Sequence, residues 1–181
     1  FIVHADQNKQ ALHEQFGTPK DQITVIPMGI KYYDGPMTKE EALKIVNQEL
    51  HSDLTIENRI LLCFGIIRDY KGIDDLLQAL AMIDDSNIKL IIAGKPWVDW
   101  DMYQKIIDDK QLQDRVFTYL DYVPDDLITP LHMAADLVVL PYKYFDSQSA
   151  AGLTALAHRK PLVVTDVGGL PELVNNNPNC V

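Results

Sequence analysis

The chain has 181 residues, 47% hydrophobic and 23% charged, with a formal net charge of −10. That length suits one domain, or one domain with a piece of another, and the composition is ordinary for a globular protein. No apolar run approaches the ~20 residues that a bilayer span needs, and an acidic chain without a basic stripe argues against nucleic acid as a partner.

Phe1-Ile2-Val3-His4 reads as a strand, residues 7–16 as a helix stopped by Gly17, and residues 23–26 as a second strand. Residues 28–37, rich in Gly, Pro and Tyr, read as a linker. Thr38-Lys39-Glu40-Glu41 has the form of a capping box and predicts a helix over residues 42–50. Strand-like runs follow at residues 60–64, 89–93, 115–119, 136–140 and 161–165, separated by helical runs at 73–83, 101–111, 125–134 and 150–158. Leu90-Ile91-Ile92, Leu137-Val138-Val139-Leu140 and Leu162-Val163-Val164 are unbroken apolar runs. Strands apolar on both faces belong in a parallel sheet covered by helices on each side. The expected fold is therefore α/β, a doubly wound parallel sheet. The chain opens on a strand-like piece with no leader pattern and closes after a short helical signal, so it is expected to be a fragment of something longer. Cys63 lies inside an apolar strand and Cys180 in the tail. Such placement predicts a reducing, cytoplasmic setting and neither a disulfide framework nor a zinc site.

Ligands of such sheets bind beyond the carboxyl ends of the strands. That rule selects the loops 65–72, 94–101, 141–149 and 166–172. They carry Arg68, Lys71, Lys95, Lys143, Asp146, Ser147, Gln148, Ser149, Asp166 and Glu172. The first loop is the most informative. Phe64-Gly65 ends a strand, Arg68 and Lys71 follow, and Gly72 opens a helix. Two cations beside a helix N-terminus make a seat for an anion, with diphosphate the leading candidate. It is neither a Walker loop nor Gly-x-Gly-x-x-Gly. Ser149 is a good N-cap for the helix that follows, and the small residues after it let a ligand approach the backbone. Gly168-Gly169 makes a tight turn before Pro171 and forms a candidate wall of the same pocket. Asp99 and Asp101 are expected as helix caps rather than metal ligands. The five histidines lack ligand spacing, and no Gly-x-Ser-x-Gly elbow is present.

Taken in order, the segments 64–72, 90–94, 135–142, Ser147-Gln148-Ser149 and 160–172 resemble the carboxyl-terminal, donor-binding half of the group 1 (family 4) glycosyltransferases of the GT-B fold. The resemblance spans nearly the whole chain. It implies a Rossmann-like donor domain over residues 59–181, a linker and helix over 31–58, and the end of an amino-terminal domain over 1–30. It implies that Arg68 and Lys71 hold the donor diphosphate and stabilise it as it leaves. Tyr122 and Val123 match the loop that meets the nucleobase, and Gly65, Lys95, Ser147, Gln148 and Ser149 complete the donor contacts. The family pattern of two glutamates separated by seven residues falls here on Asp146 and Thr154, a departure that removes the carboxylate expected at the ribose.

The implied function is retaining transfer of a hexose from a nucleoside diphosphate sugar to a glycan or lipid-linked acceptor. Neither metal nor other cofactor is expected. The remaining partner would be the absent amino-terminal domain, through which any peripheral membrane contact would be made. Two other readings stand beside it: a non-catalytic nucleotide-binding or regulatory domain on the same fold, and an NAD-dependent enzyme, which the missing glycine fingerprint disfavours.

Overall fold

The structure, a computed structural model, describes residues 1–29 and 35–175. Of the sequence features above, Cys180 and the centre of the 28–37 linker lie outside the described residues.

The chain starts with β1 (Ile2–Val3), α1 (Asp6–Phe16) and β2 (Thr24–Val25), where β1 and β2 pair in parallel. Gly17 ends α1 in the left-handed region, its N–H donating to the His13 carbonyl. Next comes α2 (Lys39–Leu50), whose capping box forms as predicted. The Glu41 N–H donates to Thr38 Oγ1 at 3.2 Å, and the Thr38 N–H to Glu41 Oε2 at 2.8 Å. With Thr38 as the cap, the helix begins three residues before the predicted 42.

Five parallel strands then alternate with helices: β3 (Arg59–Phe64), α3 (Ile73–Met82), β4 (Ile88–Ala93), α4 (Asp101–Asp109), β5 (Val116–Tyr119), α5 (Asp125–Ala134), β6 (Leu137–Leu140), α6 (Ala150–Ala157) and β7 (Leu162–Val164). A short α7 (Leu170–Leu173) closes the described chain. Their order across the sheet is β5-β4-β3-β6-β7, with Leu61 beside Leu90 and Leu137. The doubly wound parallel sheet is the predicted one.

Both sheet faces are buried, which is why the strands read as continuous apolar runs. Ile60, Leu62, Ile91, Val138 and Leu162 pack on one face against α2, α5 and α6 through Val46, Leu131 and Ala155. Cys63, Leu90 and Ile92 pack on the other against Ile73, Leu77, Tyr103 and Ile107 of α3 and α4. Two predicted boundaries move for local reasons. The helix expected to 111 stops at Asp109, and Gln111 turns with φ +56°. Asp136 does not extend β6 but caps the sheet's amino-terminal edge. Its carboxylate accepts from the Ile60 N–H at 2.7 Å and pairs with Lys39.

The strand order reverses between β3 and β6. A parallel sheet opens a crevice at that switch point, beyond the carboxyl ends of those two strands. Among the described residues, no helix is long and apolar enough to cross a membrane.

Candidate functional site

The loops after β3 and β4 are zipped together by backbone. The Ile67 N–H donates to the Lys95 carbonyl and the Trp97 N–H to the Ile67 carbonyl, each at 2.9 Å. This bridge sets the Arg68 guanidinium over the Trp97 ring, 4.2 Å from its centre. A single 3₁₀ turn, Asp69–Lys71, then leads to Gly72. Gly72 has φ +65°, and a Cβ there would stand 1.9 Å from the Pro141 carbonyl oxygen, so only glycine lets the β3 and β6 loops pass this closely. A further bond, from the Lys143 N–H to the Tyr70 carbonyl at 2.8 Å, fixes the two loops against each other.

That crossing puts Lys71 inside. Its side chain is 5% exposed. Nζ donates to Tyr142 Oη at 2.5 Å and to the Phe64 carbonyl at 3.4 Å, and lies 4.4 Å from the centre of the Tyr142 ring. Burial holds its pKa below the usual lysine value. Among the described residues, the ion pairs are Lys39–Asp136, Lys95–Asp121 and Lys143 with Asp74 and Asp75. None of them involves Lys71 or Arg68. A buried ammonium without a counter-charge is costly, and the fold keeps one at its switch point.

Ser149, the N-cap of α6, meets the same cluster. Its Oγ lies 3.0 Å from Tyr142 Oη and accepts from the Gly152 N–H at 3.3 Å. The structure thus joins Lys71 and Ser149 through Tyr142, with Gly65 beside the Lys71 ammonium and Arg68 one turn away. A Cβ on Gly65 would lie 3.5 Å from Lys71 Nζ, ordinary contact, so what calls for glycine there is its φ of +102°. Lys95 is exposed and 3.8 Å from Asp121.

The other loop residues are engaged by the amino-terminal segment. The Asp146 carbonyl accepts from Asn8 Nδ2, while the Asp146 side chain is exposed. Gln148 Oε1 accepts from the Met28 N–H at 2.9 Å. Ser147 lines a groove of about 340 Å³ together with Val3, His4 and Asn8. Glu172 caps α1, accepting from the Asp6 and Gln7 N–H groups at 3.2 Å each. That carboxylate does what the first residues of α1 do not, since Ala5 at the N-cap has no side-chain acceptor. Thr154 Oγ1 donates to the Ala150 carbonyl at 2.8 Å, inside its own helix. Lys143, also in the predicted crevice set, pairs instead with Asp74 and Asp75. After β5, Tyr122 stands 69% exposed and Val123 is buried in the core. Asp99 Oδ1 accepts from the Asp101 N–H at 3.0 Å at the start of α4, and no group of three acidic, His or Cys side chains gathers among the described residues.

Two residues of the site escaped sequence reasoning. Tyr142 and Trp97 hold the two cations, yet each follows or precedes a proline in a loop and carries no periodicity. The one usable signal was an aromatic directly after a proline, Pro96 or Pro141, in the loop beyond the carboxyl end of its strand.

Comparison with known proteins identifies the family and the fold of the chain. The profile of the group 1 glycosyl transferases matches residues 58–181, well over half of the chain. An uncharacterized glycosyltransferase of Methanocaldococcus jannaschii is 29% identical over 176 residues, covering 94% of this chain and 43% of that one. A GDP-mannose:glycolipid 4-beta-D-mannosyltransferase of Xanthomonas campestris is 34% identical over 104 residues, 57% of this chain and 29% of that one. Among solved structures, a glycosyltransferase from Rickettsia africae superposes with a TM-score of 0.79 at 21% identity, over 97% of this chain and 46% of that one. Anabaena Alr3699/HepE in complex with UDP-glucose superposes with a TM-score of 0.76 at 22% identity, over 94% of this chain and 46% of that one. The chain thus has a fold found in GT-B glycosyltransferases and spans less than half the length of these full-length relatives. It belongs to the group 1 glycosyltransferase family.

Proposed function

We propose that this group 1 glycosyltransferase chain is the donor half of its enzyme, binding a nucleoside diphosphate sugar with the diphosphate on Arg68 and Lys71. The observation that carries the reading is the buried, uncompensated ammonium of Lys71 at the sheet's switch point. A diphosphate supplies the missing counter-charge. As the glycosidic bond breaks, negative charge grows on the leaving diphosphate, and cations already in place stabilise it without reorganising. Arg68, held over the Trp97 ring, carries a planar fork suited to phosphate oxygens. Gly65 and Ser149 border the same point, Lys95 and Tyr122 with Val123 form the side toward the nucleobase, and Asp146, Ser147, Gln148 and Thr154 form the side toward the sugar and ribose. The reading requires no metal or organic cofactor.

The reaction is transfer of a hexose to a glycan or lipid-linked acceptor with retention at the anomeric carbon, the acceptor being held by residues outside this chain, and the buried free Cys63 suits a reducing cytoplasm. The nucleotide-sugar names of the Xanthomonas relative and the Anabaena complex support the donor class. The relative's beta-linked product makes the anomeric outcome the point to measure. A second reading, nucleotide binding without transfer, is favoured by Thr154, whose hydroxyl is spent on its own helix where the family pattern places a carboxylate.

Calorimetric titration with UDP, GDP, their hexose conjugates and NAD tests the donor reading. Preferential binding of a nucleoside diphosphate or its sugar supports it, and preference for NAD overturns it. NMR of the product formed with a simple glycan acceptor then reads the anomeric configuration. Tight donor binding with no transfer by the full-length protein would select the second reading.

A further inference from the structure

The side chains of Lys71, Tyr142 and Ser149 form a buried polar chain that no carboxylate of the described residues interrupts. Lys71 Nζ and Tyr142 Oη are 2.5 Å apart, Tyr142 Oη and Ser149 Oγ 3.0 Å, and Ser149 Oγ and the Gly152 nitrogen 3.3 Å. Tyr142 is 1% exposed and Ser149 3%. The direction of these bonds follows from which groups can donate. An ammonium has donors only, so Tyr142 Oη must accept from it. A backbone N–H has a donor only, so Ser149 Oγ must accept from Gly152. Tyr142 has one proton of its own, and Ser149 Oγ is the acceptor within reach. An adjacent cation makes a phenol a stronger donor, which favours Tyr142 donating to Ser149 over the reverse. Ser149 Oγ then accepts twice, and its own proton is left without an acceptor among the described residues. A buried hydroxyl donor is thereby delivered to the N-terminus of α6, on the same crevice edge as Lys71.

We infer that Tyr142 is a positioning residue of the donor site: it fixes the Lys71 ammonium without neutralising it and turns the Ser149 hydroxyl proton toward a donor phosphate oxygen. A carboxylate in place of Tyr142 would hold Lys71 equally well but cancel its charge. A phenol is neutral, and burial raises its pKa well above the ordinary tyrosine value, so it stays protonated while touching a cation. The ring beneath adds attraction without adding charge. The inference rests on the donor-site reading above, and the experiment separates the two.

The variant is Tyr142→Phe, which keeps the ring, its volume and the ring–cation contact, and removes only the hydroxyl. Binding of UDP and GDP is compared with binding of uridine and guanosine, on the wild type, Tyr142→Phe, Lys71→Met and the double variant. Tyr142→Phe is expected to weaken nucleoside diphosphates by roughly 5- to 30-fold, the range of one to two lost hydrogen bonds. Nucleosides, which lack phosphate, should be unaffected. In the Lys71→Met background the further loss should shrink to about 3-fold or less, because the larger part of the effect runs through the ammonium. A purely structural role would weaken nucleosides and diphosphates alike, and that result overturns the inference, as does an unchanged diphosphate affinity in Tyr142→Phe. If the wild type itself bound nucleoside and nucleoside diphosphate equally, the donor-site reading would fall and this inference with it.

Discussion

Replacing Lys71 by Met should move stability and binding in opposite directions. Methionine matches the length of the lysine stem and carries no charge, so it fills the space beside Phe64 and Tyr142 without a buried ammonium. Among the described residues no carboxylate pairs with Lys71, so removing it strands no opposite charge there. What is lost is the 2.5 Å bond to Tyr142 Oη and the longer one to the Phe64 carbonyl, and Tyr142 keeps Ser149 as a partner. Relief of desolvation, less those bonds, is expected to stabilise the fold by about 1–2 kcal/mol, or ~2–8 °C in Tm for a domain of this size. The sign can be checked against pH. The pKa of Lys71 is lower in the folded state than its ordinary 10.5, so its penalty is fully present while it is charged, below the folded pKa. The penalty fades as pH rises toward 10.5, and the advantage of Met should close with it. Binding runs the other way: one charge-assisted bond is worth about 1.5–3 kcal/mol, so diphosphate affinity should fall by about 10- to 150-fold. Urea melts at pH 7 and 10, with calorimetry against UDP and GDP, measure both. A Lys71→Met variant that is less stable than wild type and binds diphosphate normally would show that Lys71 is a structural residue, and the argument from uncompensated charge would fail.

Arg68→Ala should weaken nucleoside diphosphate binding by roughly tenfold or more while leaving stability nearly unchanged, because a half-exposed loop charge contributes little to folding; calorimetry and thermal melts check the pair. Thr154→Glu should raise the preference for ribo- over deoxyribonucleoside diphosphates, and an unchanged preference would mean that α6 does not present position 154 to the ribose. His132 is fully buried, with its ring 4.6 Å from His158 and 4.9 Å from Phe64. Burial, together with His158 and Lys160 nearby, lowers its pKa from 6.5 to about 4. Its contribution to stability is therefore full above pH 6.5 and lost as pH falls toward 4, a difference of about 3 kcal/mol. In urea melts across that window the stability of wild type relative to His132→Leu should fall as pH drops, and parallel curves would refute the assignment.

The sequence alone was enough for the layered α/β architecture, because burial on both faces of a parallel sheet leaves a direct mark: Leu90-Ile91-Ile92 and Leu137-Val138-Val139-Leu140 have nowhere else to go. It was enough too for the α2 capping box, a contact between residues three apart, and for placing Arg68 and Lys71 in the loop from β3 to α3, since a strand end, two cations and a helix start are adjacent in the chain. What it could not show was how the four loops divide their labour. Gln148 and Glu172 read as crevice residues, yet their side chains reach Met28 and the start of α1, more than 100 residues away. Lys143 read as part of the same crevice and spends its charge on Asp74 and Asp75. The burial of Lys71, and the tyrosine that holds it, arise from the crossing of Gly72 under Pro141, a contact between β3 and β6 loops that strand order alone creates. Local periodicity and capping are fixed by neighbours along the chain and so can be read from it. Charge compensation is fixed by neighbours in space, and only the folded sheet decides which cations find a carboxylate among the described residues and which do not.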